Sequence, residues 1–238
     1  MHATIQKPID EILGFFQPGE RVFVVGCGNC AAKCRSGGEP ETEEMARRLR
    51  DRGVSVAGYA CTDSGVSLCK LAVTRKLLTE THREETAEAD SFLVLACGQG
   101  NHTVMDATDG GMIHAGCDTI FGGETINDNL ISEYCSLCGE CIVENTGGLC
   151  PVTLCAKSLL NGPCGGAKDG KCEVDRTRDC GWQLIYDRLK ELGMMEKLEA
   201  YQGPKNNSRW SRPRSLDLGD GETTFTSLAG KCTVANRG

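Results

Sequence analysis

Arg21-Val-Phe-Val-Val-Gly26 runs directly into Cys27-Gly-Asn-Cys30-Ala-Ala-Lys-Cys34, and the character of this junction decides the fold. Four consecutive large apolar residues, three of them β-branched, read as a short strand buried on both faces. Working outward, about Glu41 to Arg52 has a helical pattern that Gly53 ends, and Val54 to Ala60 reads as the next strand. From about Val66 to Leu78 the apolar positions Leu68, Leu71, Ala72 and Leu78 recur loosely on one helical face. Ser91 to Ala96 (SFLVLA) is a third strand, and Thr119 to Phe121 is the candidate fourth. Continuous apolar strands alternating with helices imply a parallel sheet covered on both faces. The expected fold is therefore α/β, with a flavodoxin- or Rossmann-like domain over residues 1–130.

Near Ile131 the texture changes. From Glu133 to Cys180 the chain is rich in Cys, Gly and Pro and has little periodicity. Such a segment buries little apolar surface, so bound metal is the natural source of its folding energy. A helix follows from about Gly181 to Leu192, with Trp182, Ile185, Leu189 and Leu192 on one stripe. These features give a cysteine-rich, ferredoxin-like cluster domain over 131–195 and an extended polar tail over 196–238, ordered only against a partner.

Composition narrows the function. A net charge of -7 argues against a nucleic-acid surface. No apolar stretch approaches the roughly 18 residues that span a bilayer. The first residues show no basic segment followed by an apolar core, so the expected location is the cytoplasm. There the thiol pool keeps cysteines reduced, and 16 of them read as metal ligands rather than disulfides.

The strongest pattern is Cys135-Ser-Leu-Cys138-Gly-Glu-Cys141 followed by Cys150-Pro151. Three cysteines at two-residue gaps, then a distant Cys-Pro, match the ferredoxin arrangement for a [4Fe–4S] cluster, with a longer final gap. Cys155, Cys164, Cys172 and Cys180 supply four more thiols, enough for a second site. Four cysteines also suit structural zinc. Sequence alone leaves open which cysteines share a centre, and it leaves zinc as the alternative at one site. Gly147, Gly148, Gly162, Gly165, Gly166 and Gly170 punctuate the stretch and permit close backbone approach to a cluster or simply tight turns.

Cys27, Cys30 and Cys34 lie just past the first strand, Cys61 past the second and Cys97 past the third. In an open parallel sheet the carboxyl ends of the strands form the ligand edge. A further metal site from Cys27, Cys30, Cys34 and either Cys97 or Cys61 follows, with Cys97 favoured. Two other readings compete here. Gly26 to Ala31 fits the dinucleotide fingerprint, although Cys61 stands where an acidic residue is expected. Cys27 and Cys30 also have thiol-pair spacing. Cys69 falls on a helical pattern and reads as a small buried apolar residue; Cys117 has no evident role and Cys232 is a plain thiol. His2, His82, His102 and His114 have no metal-ligand spacing. His102 and His114, with Met105, Asp106 and Asp109, either line the strand-end site or are simply solvated. Glu140, Glu144 and Glu173 need no explanation beyond solubility. No nucleophilic triad or paired catalytic carboxylates can be assembled.

Asn161-Gly-Pro-Cys164-Gly-Gly166, Asp169-Gly-Lys-Cys172-Glu-Val174, Cys180-Gly-Trp182 and Ile185-Tyr-Asp-Arg-Leu189 together resemble the methylenetetrahydrofolate reductase C-terminal domain family. The block from Cys135 to Leu192 is the most specific part, and the α/β domain with its Cys27/Cys30/Cys34 loop is also similar. The resemblance implies a small iron–sulfur subunit of the acetogen-type reductase, serving one-carbon metabolism of the Wood–Ljungdahl type. It implies two or three [4Fe–4S] clusters delivering electrons to a flavin-containing large subunit, and an upstream electron donor protein. The chain itself would not carry out the substrate chemistry. The rival readings are a structural zinc scaffold for the same flavoprotein and a self-sufficient nucleotide-dependent oxidoreductase.

Overall fold

The computed structural model describes residues 1–210, 212, 214–217 and 224–227. The chain forms two compact units, Met1–Ser132 and a second beginning at Glu133.

The first unit opens with β1 (His2–Gln6) and α1 (Ile9–Leu13), neither of which has a sequence pattern long enough to announce it. Then follow β2 (Arg21–Gly26), α2 (Cys30–Lys33), α3 (Glu39–Asp51), β3 (Ser55–Cys61), α4 (Leu71–Lys76), a π-helical turn (Leu77–Thr81) and α5 (Arg83–Ala87). The unit continues with β4 (Ser91–Leu95), α6 (Gly98–Ala107), β5 (Met112–Ala115), β6 (Cys117–Gly122), β7 (Glu124–Asn127) and β8 (Leu130–Ser132). The central sheet is parallel with order β3-β2-β4-β5. This is the doubly wound order in which the chain reverses direction between the first and third strands, here β2 and β4.

Alternation along the strands divides the core. Phe23, Val25, Phe92 and Val94 face Leu68, Leu78, Val104 and Ala107. Val22, Val24, Leu93 and Leu95 face Ile12, Met45, Ala46 and Leu49. Both faces are therefore covered, as the continuous apolar runs required.

Several elements differ from the sequence reading. The fourth parallel strand is β5, whereas the stretch expected to supply it lies in β6, which pairs antiparallel with β1 in a separate ribbon. The helix expected from Val66 starts only at Leu71, because residues up to Lys70 form turns. His102 lies exposed on α6 beside Asp106 rather than in a loop. His114 lies on β5, only 7 % exposed, and is paired with Glu20 at 2.8 Å. It packs against Phe15 and Phe16, so neither histidine lines a strand-end site with Cys27.

Glu20 also accepts from the Ser91 hydroxyl and, at 2.6 Å, from the Gln17 amide. Burial alone would raise its carboxyl pKa, but Ser91, Gln17 and His114 outweigh burial and hold it below the usual range. A depressed carboxyl stabilises the fold above its unfolded value, about 4.3, and that contribution is lost as pH falls through the lower folded value. Glu20→Ala should therefore cost the first unit about 2 kcal/mol at neutral pH, since it leaves buried partners unpaired. Urea unfolding at pH 7 and pH 3.5 checks this: the gap between wild type and variant should shrink at the acid end.

The second unit has little regular structure. A 3-10 turn (Val143–Thr146), α7 (Pro151–Leu154), α8 (Gly181–Leu192), two further 3-10 turns (Met195–Leu198, Asn207–Trp210) and the hairpin of β9 (Arg214–Asp217) with β10 (Thr224–Ser227) are joined by loops. Its core is Trp182, Ile185 and Leu189, with Leu192 at the exposed end of the stripe. The Trp182 indole donates to Leu159 O at 3.0 Å.

Over 196–214 the extended tail is tied to the second unit without a partner. Lys197 donates to Glu144 at 2.8 Å, Gln202 and Asn161 exchange bonds at 2.7 and 2.9 Å, and Arg214 donates to Leu137 O at 3.2 Å. These are polar ties without apolar periodicity, so no amphipathic signal marked them. Cys232 lies outside the described residues. Among the described residues no helix is long and apolar enough to cross a membrane.

Candidate metal centres

Cys135, Cys138, Cys141 and Cys150 line one cavity of about 310 Å³, together with Tyr134, Leu137, Ile142 and Lys205. The turn that makes this possible is tight. Leu137 has φ of 55°, a conformation costly for a bulky L-residue, and its amide donates to Cys135 Sγ at 3.4 Å. Cys150 precedes Pro151 at the first position of α7, where a missing N–H costs nothing, and Thr153 Oγ1 donates to Cys150 Sγ at 3.6 Å. Lys205 places its ammonium 2.8 Å from Cys138 Sγ and also bonds Glu140 O. Burial would push the Cys138 thiol up, but Lys205 and the backbone at Glu140 hold it below its usual value. That favours the thiolate, the form that binds metal. Glu140 is thus more than a solubilising charge: its carboxylate accepts from Asn206 N at 2.6 Å and fixes the segment that carries Lys205.

Of the other four cysteines, two lie near the start of α8 and two in the loop before it. Cys155 and Cys180 both pack against the Trp182 core. Gly181 abuts the Leu154–Cys155 peptide so closely that a Cβ there would stand 2.9 Å from Cys155 N. Cys180 N donates to Gly170 O at 2.8 Å, and Cys172 N to Arg178 O at 3.0 Å. Cys164 Sγ lies 3.6 Å from Glu173 Oε1, which Lys157 also engages. The donor set fits a thiophilic centre: all the cysteines in both groups are free, and none is fully buried. Among the described residues no three Cys, His, Asp or Glu side chains stand ready-arranged around a metal ion.

At the strand ends of the first unit the cysteines that the sequence grouped together make different contacts. Cys27 and Cys97 are buried directly beyond β2 and β4, and Cys30 begins α2. Cys34 turns toward β1, where Thr4 N donates to its sulfur at 3.4 Å and its thiol faces His2 O at 3.7 Å. Cys117 sits on that side too, with its thiol on Ser36 O at 3.3 Å. Cys61 lies 3.9 Å from Gly37 O, and burial, with Cys27 adding, pushes its thiol up to about 12. Cys69 is exposed in the turn before α4, not buried in a helix. Partial desolvation and then the neighbouring thiols of Cys97, Cys27 and Cys30 raise its pKa.

The nucleotide reading loses its physical basis here. The fingerprint needs a helix whose N-terminus holds a pyrophosphate, yet α2 spans only four residues. Gly28 leaves no cradle either, because a Cβ on it would stand 2.2 Å from the Thr62 and Asp63 carbonyl oxygens. Its glycine serves packing against the loop after β3.

Sequence reasoning missed Lys205 and read Cys69 as a buried apolar residue, whereas it is exposed. Lys205 is one polar residue 64 positions beyond Cys141 in a polar segment, with no local signal. Cys69 was detectable as a thiol near the end of the loop after a strand, had the helix start been placed correctly.

An open α/β sheet joined to a small unit built on thiol-lined loops defines a two-unit protein whose second unit is organised around cysteines. Residues 114–208 match the family described as methylene-tetrahydrofolate reductase C terminal, and the segment is similar to that family. The match covers the whole run from Cys135 to Lys205 and begins beyond the Cys27–Cys34 loop. No curated protein and no solved structure matches the chain.

Proposed function

We propose that this protein is an iron–sulfur electron-transfer and assembly subunit of a methylenetetrahydrofolate reductase complex. The observation that carries the reading is the single cavity lined by Cys135, Cys138, Cys141 and Cys150. Those four cysteines would hold one [4Fe–4S] cluster, and Cys155, Cys164, Cys172 and Cys180 the second. This division differs from ferredoxins, where the cysteine before proline serves the other cluster. When bound, such clusters accept and release one electron at a time.

The chain's own residues shape that task. The Leu137 amide and the Lys205 ammonium point at ligand sulfurs, where positive charge stabilises the electron-rich centre. Leu137, Ile142 and Val143 line the same cavity and limit water. Reduction of methylenetetrahydrofolate to methyltetrahydrofolate takes two electrons and two protons. The protein supplies the electrons singly to the flavin of a large partner subunit, where the protons and folate are handled, and an upstream donor protein replaces them. The described residues of the first unit form an open four-stranded sheet rather than the eight-stranded barrel that flavin and folate chemistry on a (β/α)8 scaffold requires.

Anaerobic metal and sulfide analysis tests the reading, with absorbance and EPR after dithionite. About eight irons with matching sulfide in the C-terminal unit support it. Zinc without iron or sulfide, in protein never exposed to air, replaces it with a structural scaffold role.

A further inference from the structure

Where a doubly wound sheet reverses direction, the loops beyond the two flanking strands part to opposite faces and leave a crevice. Here β2 and β4 are neighbours, with Gly26 opposite Leu95. The chain leaves β2 toward α3 on one face and leaves β4 into α6 on the other. Cys27 and Cys97 are thus buried at the two lips of the crevice.

A third segment is tied across it. Leu68 N donates to Cys27 Sγ at 3.5 Å, Asn29 Nδ2 to Ser67 Oγ at 2.7 Å, Gly28 N to Thr62 Oγ1 at 2.8 Å and Gly65 N to Gly28 O at 2.8 Å. These bonds lash the 27–30 loop to residues 62–68. The Leu68 side chain in turn reaches the start of α6, which Cys97 precedes: a Cβ on Gly100 would stand 2.6 Å from Ala96 Cβ and 3.2 Å from Leu68 Cδ2. The residue after Leu68 is Cys69, exposed in the turn before α4.

We propose that Cys27, Cys30, Cys69 and Cys97 form a four-thiolate metal site at this switch point, separate from the two centres of the second unit. Cys34, grouped with Cys27 and Cys30 by spacing, is committed to β1 through Thr4 and His2 and takes no part. Cys27 and Cys97 are the fixed, buried ligands. Cys30 and Cys69 are accessible and turn about χ1 to close the set when metal arrives. Each thiol releases its proton to solvent as its sulfur binds. The ligand is a thiophilic centre, either one tetrahedral zinc ion or one cubane cluster. The site neither requires nor excludes clusters in the second unit.

The full-length chain, produced without oxygen in medium holding both iron and zinc, tests the assignment through four proteins: wild type, Cys34→Ser, Cys69→Ser and Cys138→Ser. Because Cys69 is exposed, its replacement by serine leaves the core intact, which circular dichroism verifies. Cys69→Ser should lose one zinc, or about four irons with their sulfide, while Cys34→Ser keeps the wild-type content. Which element disappears identifies the centre. In the loaded wild type, Cys69 should also resist iodoacetamide and become reactive after chelation. Full metal content in Cys69→Ser, or an equal loss in Cys34→Ser, overturns the proposal. Cys138→Ser reports on the second unit alone, so an unchanged iron content there would remove the Cys135–Cys150 cavity, the observation that carries the proposed function, without touching this site.

Discussion

Cys138→Ser, purified without oxygen, should lose about four irons and roughly half of the cluster absorbance of the second unit. Three features make this the most damaging single ligand change. Cys138 is the middle thiol of the triplet and lines the cavity beside the other three candidate ligands. It is also the cysteine whose thiolate Lys205 favours, at 2.8 Å. A serine hydroxyl there is a far weaker, harder ligand and leaves the ammonium without its thiolate partner. Metal binding in such a unit is also folding energy, so the loss should extend to stability, with loops 133–150 becoming susceptible to protease. Cys232→Ser, outside both four-cysteine groups, should keep full iron content; iron loss in that variant instead would show that the grouping of ligands is wrong. Retention of all iron by Cys138→Ser would remove the Cys135–Cys150 cavity as a cluster site.

The strands β2, β3 and β4 and the helix α8 were legible because each carries an unbroken apolar signature: RVFVVG, the run into Cys61, SFLVL and the Trp182–Ile185–Leu189 stripe. Elements held by tertiary context were not. β5 is four residues long with Met112 exposed, and its stability comes from pairing with β4 and from the His114–Glu20 contact. α6 opens Gly-Gln-Gly, a poor helical start, and survives because Thr103, Val104 and Ala107 are buried. The candidate centres divide the same way. The Cys135–Cys150 set was visible from spacing because short gaps fix geometry locally. Which strand-end thiols meet depends on how the loop after β3 folds over the 27–30 loop, through contacts between residues about 40 positions apart such as Leu68 N to Cys27 Sγ. Spacing groups Cys34 with Cys27 and Cys30, the proposed site takes Cys69 in its place, and the fold order β3-β2-β4-β5 puts the switch point between the strands that Cys27 and Cys97 follow.

Trp182→Ala should separate the two forces that hold the second unit together. Trp182 is 5 % exposed, its indole bonds Leu159 O, and with Ile185 and Leu189 it makes up the buried core described there. Truncating a buried tryptophan costs about 3–5 kcal/mol, which is most of the stability that so small a core supplies. Cys155 and Cys180 pack against the same core, so the cavity would also loosen two thiols of the proposed second centre. Amide hydrogen exchange along α8 in loaded and metal-free protein reads both effects. In loaded protein the variant should lose α8 protection by the full cavity cost and shed iron from the Cys155–Cys180 group first. In metal-free protein the wild type should already exchange rapidly, leaving the substitution little to remove. An equal cost with and without metal would mean that the apolar core holds α8 unaided, and that the thiol-rich loops do not fold on their metal.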